Sequence, residues 1–114
     1  MTALKKKSET CEEQLRRMCK DIADSITNPV DNSEHGEDAS VASWMEDVYD
    51  IEWITYQDKR YKAARLLVAG GGPNIWVNLQ TNTVDGYWGC DKVNHGFVDN
   101  LGLDDYLEES HACA

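Results

Sequence analysis

The chain lacks any apolar run near the roughly 20 residues that carry a helix across a bilayer. A membrane-spanning helix is therefore not expected. The basic stretch Met1–Lys7 is not followed by an apolar h-region, so no secretory signal is read and a cytoplasmic setting is expected. Without such a signal, the four cysteines, Cys11, Cys19, Cys90 and Cys113, are read as free thiols rather than a disulfide framework. None of them forms a C-x-x-C pair. Cys90, His95, His111 and Cys113 would have to gather from afar to hold zinc, and the last two lie on a C-terminal stretch expected to fray. No metal is expected.

Phosphate-binding motifs are also missing. Residues 68–78 read VAGGGPNIWVN, which is rich in glycine, but a phosphate loop needs a lysine and a hydroxyl ahead of a helix. Here Pro73, Asn74 and Ile75 follow the glycines. The dinucleotide fingerprint fails because its third glycine would fall at Ile75. The residues that follow, IWVNL, read as a strand, whereas a phosphate is held at a helix N-terminus. Gly70–Asn74 is instead read as a hairpin connection that needs positive φ or close backbone approach. No serine sits in a nucleophile elbow, and His35, His95 and His111 are read as exposed side chains. No nucleotide or other cofactor is expected, and the chain is read as a non-enzyme.

What is present in excess is negative charge. The 114 residues carry 11 basic and 21 acidic side chains, a net charge of −10. Residues 1–20 hold six basic and three acidic groups, and residues 21–114 hold five basic and eighteen acidic ones. Such a chain should avoid free DNA and RNA, whose affinity for proteins comes mainly from cations. It should be drawn to basic partners, although an acidic composition also serves solubility alone.

The length allows one domain over residues 1–114. Leu15, Met18, Cys19, Ile22 and Ile26 recur at helical spacing, which predicts a helix over about 9–27, capped by Ser8 and ended by Asn28 and Pro29. Residues 28–40 are polar and acidic and read as a flexible loop. A β-sheet core with a closing helix is expected over 41–110. Ser40 or Ser43 would cap a short helix carrying Trp44, Met45 and Val48. Strand-like runs follow at Tyr49–Tyr56, Tyr61–Ala69, Asn74–Gln80 and Thr83–Trp88. A last helix over about 98–110 carries Val98, Leu101, Tyr106 and Leu107. No internal repeat is visible. A hairpin closed by Thr81-Asn82 would pair Leu79 with Val84, Val77 with Gly86 and Ile75 with Trp88, leaving Asn78, Asp85, Trp76 and Tyr87 on the other face. Gly86 would then make room for the Trp88 ring. The expected fold is α+β, a four-stranded antiparallel meander packed against an N-terminal and a C-terminal helix.

Carboxylates recur at spacings a binding surface would use. Asp50 and Glu52 are two apart on a strand, about 6.5–7 Å on one face. Asp104 with Glu108, and Asp105 with Glu109, are four apart on the last helix, with Cβ atoms about 5–6 Å apart. Glu46, Asp47, Asp85, Asp91 and Asp99 would join them if the fold brings the faces together. Carboxylates so spaced imitate a phosphate backbone, and they also describe any solvated face. Trp76 and Tyr87, on the outer sheet face, are candidate interface anchors. The alternative is packing under the first helix.

The run from about Val48 to Leu107, with VYDIEW, YKAARLLVAGGGPNIWVN, VDGYWG and an acidic closing helix, resembles small acidic proteins of plasmids, phages and integrative elements. These include a family of type II-A anti-CRISPR proteins, inhibitors of the RNA-guided nuclease. The likeness covers about half the chain, with GGPNIWV and VDGYWG its most specific parts, and residues 1–40 contribute nothing to it. It implies an interaction protein whose partner is a large basic nuclease or its guide-RNA complex, with the guide-RNA or DNA groove blocked. The alternatives are a mobile-element accessory protein acting through protein contacts or self-association, and a small metal-dependent enzyme.

Overall fold

The computed structural model describes residues 10–29 and 41–113. The acidic stretch 30–40 and the proposed caps Ser8 and Ser40 lie outside the described residues. Helix α1 spans Cys11–Thr27 and is capped by Thr10. The Thr10 hydroxyl accepts the Glu13 N–H, and the Glu13 carboxylate accepts the Thr10 N–H, so two otherwise orphaned donors are satisfied reciprocally. The helix ends as expected, at Asn28, whose N–H donates to the Asp24 carbonyl. Its inward stripe is Leu15, Cys19, Ala23 and Ile26, with Met18 and Ile22 at the margin. Burying Leu15 and Ile26 contributes about 1.5–3 kcal/mol each. A short helix, α2, spans Val41–Met45, where the Trp44 indole N–H donates to the Ser25 hydroxyl of α1.

Five strands follow, β1 (Asp50–Thr55), β2 (Tyr61–Ala69), β3 (Asn74–Asn78), β4 (Thr83–Trp88) and β5 (Asp91–Gly96), before helix α3 (Leu103–Cys113). They form one antiparallel sheet in chain order. The fold is thus the expected α+β meander with helices at both ends, but with five strands rather than four. The missed strand, β5, buries only Val93 and otherwise presents polar side chains. This suits an edge that should not recruit further strands, but it leaves almost no hydrophobic signal. The closing helix also starts later than expected, at Leu103 rather than 98, and Val98 is 59% exposed.

The β3–β4 hairpin keeps the expected faces but slides by two residues. Val77 lies opposite Val84, Ile75 opposite Gly86 and Trp76 opposite Asp85. Because side chains alternate with period two, an even shift leaves every residue on its face. The loop is correspondingly four residues long, Leu79 to Asn82. The Asn78 side chain accepts N–H groups from Gln80 and Thr81, and Asn82 adopts φ 57°. Both features are turn chemistry that a two-residue closure does not use.

All three helices share one side of the sheet. Helix α1 crosses β4 and β5, and α3 lies over β2. Gly86 marks the α1 crossing. A Cβ there would stand 2.6 Å from Cys19 Sγ and 2.8 Å from Leu15 Cδ1. The glycine therefore makes room for the helix, not for the Trp88 ring as the slipped register suggested. The end of α1 is tied to the chain after β5, since the Asn100 amide donates to the Thr27 carbonyl and the Val98 N–H to the Thr27 hydroxyl.

The Gly70–Asn74 stretch is the β2–β3 connection. Gly71 and Gly72 have φ of 88° and 105°, and the Asn74 side chain accepts the Gly71 N–H. A strand follows, not a helix. Gly71 has open space where a Cβ would stand, so Gly71→Ala tests backbone conformation alone. It is expected to lower stability by about 1 kcal/mol, measured by urea unfolding. An unchanged midpoint would show that the left-handed geometry is not required.

Candidate interaction site

The candidate acidic residues fall into two groups on opposite sides of the sheet. On the helix side, Asp105, Glu108 and Glu109 are exposed along α3, and Glu46 and Asp47 follow α2, which packs against α3. None of these five forms an ion pair among the described residues. On the far side, β1 presents Asp50 and Glu52, which the register places opposite Leu67 and Arg65. The single continuous acidic surface imagined from the sequence does not form, because Asp50 and Glu52 point to the sheet face opposite the one that α3 covers.

Several of the candidate carboxylates are engaged within the fold. Asp99 accepts N–H groups from Gly102 and Leu103 on one oxygen and from Asp104 on the other, at 2.8–3.0 Å. It places negative charge at the positive end of α3, so its role is to start the helix. Asp104 is half-buried and accepts the Tyr61 hydroxyl at 2.8 Å. Burial first, then that hydrogen bond and the charges of Asp104, Glu108 and Asp99, push the Tyr61 phenol well above its ordinary range. Asp85 is only 8% exposed and accepts from the Thr83 hydroxyl and the Asn94 amide, both at 2.8 Å. Asp50 accepts the N–H of its neighbour Ile51. Asp91 lies opposite Trp88 across the β4–β5 pair and is half-buried.

Trp76 and Tyr87 lie on the sheet face away from α1, so packing under that helix is not their role. Each carries a cation instead. The Arg65 guanidinium sits 4.3 Å from the Trp76 ring centre and pairs with Glu52 at 2.6 Å, and Lys92 approaches Tyr87 at 6.0 Å. This face thus mixes both charges with aromatic rings, and the acidic character concentrates on the helix side. There the cations are largely matched: Arg16 pairs with Glu12 and Lys20 with Asp24 along α1.

Sequence reasoning passed over a third feature. Trp53 of β1, Tyr61 of β2 and His111 of α3 meet with ring centres 5.4–6.3 Å apart. A register shift near Ile54 and Thr55 sets Tyr61 opposite Thr55, and its hydroxyl reaches α3. The signal in the sequence was Trp53 at the parity opposite Glu52. It was masked by reading residues 111–113 as a frayed end, where α3 in fact continues to Cys113.

Among the described residues, no three His, Cys, Asp or Glu side chains are grouped as a metal site, and no helix is long and apolar enough to cross a membrane. Cys11, Cys90 and Cys113 are exposed, whereas Cys19 is buried on the face of α1 that packs on the sheet. Burial chiefly, with the charge of Asp85 adding and Arg16 opposing, pushes the Cys19 thiol from 9.0 up to about 11. Because the thiolate is the reactive species, iodoacetamide at pH 8 is expected to modify the three exposed cysteines and spare Cys19 until the chain unfolds, as read by peptide mass mapping. Modification of Cys19 at the rate of the others would contradict this. The same shift makes the unfolded chain the easier one to deprotonate, so this thiol's contribution to stability is lost as pH rises from 9.0 toward 11.

No protein-family model, curated protein or solved structure matches the chain significantly.

Proposed function

We propose that this chain is an acidic, non-enzymatic interaction protein of phage or mobile-element origin. It acts in the bacterial cytoplasm by binding a basic nucleic-acid-handling protein, a type II RNA-guided nuclease in the first instance, and blocking its guide-RNA or DNA groove. The observation that carries this reading is the set of carboxylates Glu46, Asp47, Asp105, Glu108 and Glu109, exposed on the helix side without ion-pair partners among the described residues. Charges held at fixed spacing on a helix can occupy cation sites meant for phosphates. The resemblance of Val48–Leu107 to type II-A anti-CRISPR proteins points to the same partner. The test is binding of the purified chain to the purified nuclease, with and without guide RNA, at two salt concentrations. Saturable binding that weakens with salt and inhibits cleavage of target DNA supports the reading, and absence of binding at low salt removes the nuclease as partner.

A second reading, a mobile-element accessory protein acting through protein contacts or self-association, is favoured by the β1 edge. Tyr49 is 74% and Trp53 41% exposed along it. A concentration-dependent molecular mass in light scattering, abolished by Tyr49→Lys at that edge, would favour this reading over the first.

A further inference from the structure

The three rings at the junction of β1, β2 and α3 are arranged as a corner. Trp53 and His111 are 5.4 Å apart and inclined by 52°, Tyr61 and His111 6.1 Å and 49°, and Trp53 and Tyr61 6.3 Å and 75°. Rings so inclined pack edge against face rather than stacking flat. Beside them lies an open notch of ≈ 280 Å³ bordered by Arg60, Tyr61, Glu108, His111 and Ala112. Trp53, which packs against the Tyr61 and His111 rings that border the notch, is 41% exposed.

The charge around this corner is mainly negative. Asp104 is fixed against the Tyr61 hydroxyl at 2.8 Å. Glu108 is exposed at the rim and has no ion pair among the described residues. Arg60, the cation at the rim, is held by Asp58 at 2.7 Å and lies over the Tyr56 ring at 5.0 Å. Its charge is thus matched locally and turned to a neighbouring aromatic. Ring faces beside a spare carboxylate form the surroundings in which an organic cation is taken up.

We propose that the Trp53–Tyr61–His111 corner, with Glu108 at its rim, is a subsite for an arginine side chain of a basic protein partner. Arginine is preferred over lysine because its planar guanidinium is weakly hydrated, stacks on aromatic rings and can meet a carboxylate with two N–H groups at once. The proposal rests on the reading of the chain as a binder of basic proteins, and it names where one residue of that partner docks.

The test is titration of the isotopically labelled chain with a hexa-arginine peptide, followed by nuclear magnetic resonance. Hexa-lysine and the neutral hexa-citrulline serve as comparisons. Hexa-arginine is expected to shift the Trp53 indole N–H and the His111 ring signals, hexa-lysine to do so several-fold more weakly, and hexa-citrulline not at all. Glu108→Gln, an exposed substitution that leaves the core untouched, should weaken the response at Trp53 roughly tenfold, in line with loss of a charge-assisted pair. Trp53→Leu should remove the His111 response and Trp53→Phe retain part of it, with the remaining spectrum reporting that the fold is intact. Shifts confined to Asp105 and Glu109, with Trp53 and His111 unmoved, would overturn the subsite and leave the basic-partner reading standing. No response anywhere to hexa-arginine would count against both. An equal response to hexa-citrulline, or indifference to Glu108→Gln, would show that the corner does not read a cation.

Discussion

Gly86→Val is expected to leave most of the chain unfolded at room temperature, whereas Gly86→Ala should fold with a loss of about 1–3 kcal/mol, the range for overpacking a core. The reason is local. A single added carbon would sit 2.6 Å from Cys19 Sγ and 2.8 Å from Leu15 Cδ1, and valine adds two more carbons in the same place. The Leu15 tip can swing aside, but the Cys19 sulfur is held only two bonds from the helix backbone, so the helix must lift from β4. The stripe Leu15, Cys19, Ala23 and Ile26 then loses part of its contact. Pairing Gly86→Ala with Cys19→Ala isolates this cause, since removing the sulfur vacates the space the new methyl needs. The double variant should be more stable than the sum of the two single losses by about 0.5 kcal/mol or more. Thermal or urea unfolding reads all four proteins. Strict additivity would mean that α1 and β4 do not meet at this point as described.

Reversing Asp105, Glu108 and Glu109 to lysine is expected to slow association with the basic partner by about tenfold or more at low salt, since complementary surfaces act chiefly on the on-rate. Folding should change little, because all three side chains are exposed. Asp104 is left out, as its carboxylate is committed to the Tyr61 hydroxyl. The matching control reverses Glu34, Glu37 and Asp38, which alters net charge by the same amount at sequence positions outside α3. Stopped-flow association at two ionic strengths is the measurement, since exposed charges are screened over about 10 Å at 0.1 M salt. A large effect from α3 and a small one from the control places the contact on the helix. Equal effects would mean that only bulk charge is felt, and no effect from either would remove the groove-blocking mechanism.

The parts of the fold legible in the sequence are those where burial imposes a period. The stripe from Leu15 to Ile26 repeats as a helix must, and the alternation of Ile75, Val77, Val84 and Gly86 fixes which face is buried. Alternation does not fix absolute pairing, and the hairpin register came out two residues away, where the side-chain turn of Asn78 and the left-handed Asn82 set it. Strand β5 was invisible because an edge strand with only Val93 buried has no pattern to detect. The late start of α3 follows from Asp99, whose carboxylate gathers three N–H groups. In the sequence it was one acid among many. The same is true of the candidate site. Spacing showed which carboxylates share a strand or helix, but not that Asp85, Asp99 and Asp104 are occupied within the fold, nor that Asp50 and Glu52 point away from the face that α3 covers. The aromatic corner draws one ring from each of three distant segments, and no local pattern announces such a meeting.

The strand order has a consequence for how the chain acquires its shape. Each strand pairs with the one made just before it, so the sheet can grow by successive hairpins, whose local contacts close quickly. Helix α1 is the exception. It is made first, yet its seat on β4 and β5 is among the last strands to be made, so on a ribosome its apolar stripe must wait for nearly the whole sheet. The reciprocal Thr10–Glu13 cap stabilises the helix during that wait without any help from packing. A chain stopped after β3 would therefore have a partly formed sheet and an undocked, sticky helix, the species most exposed to aggregation.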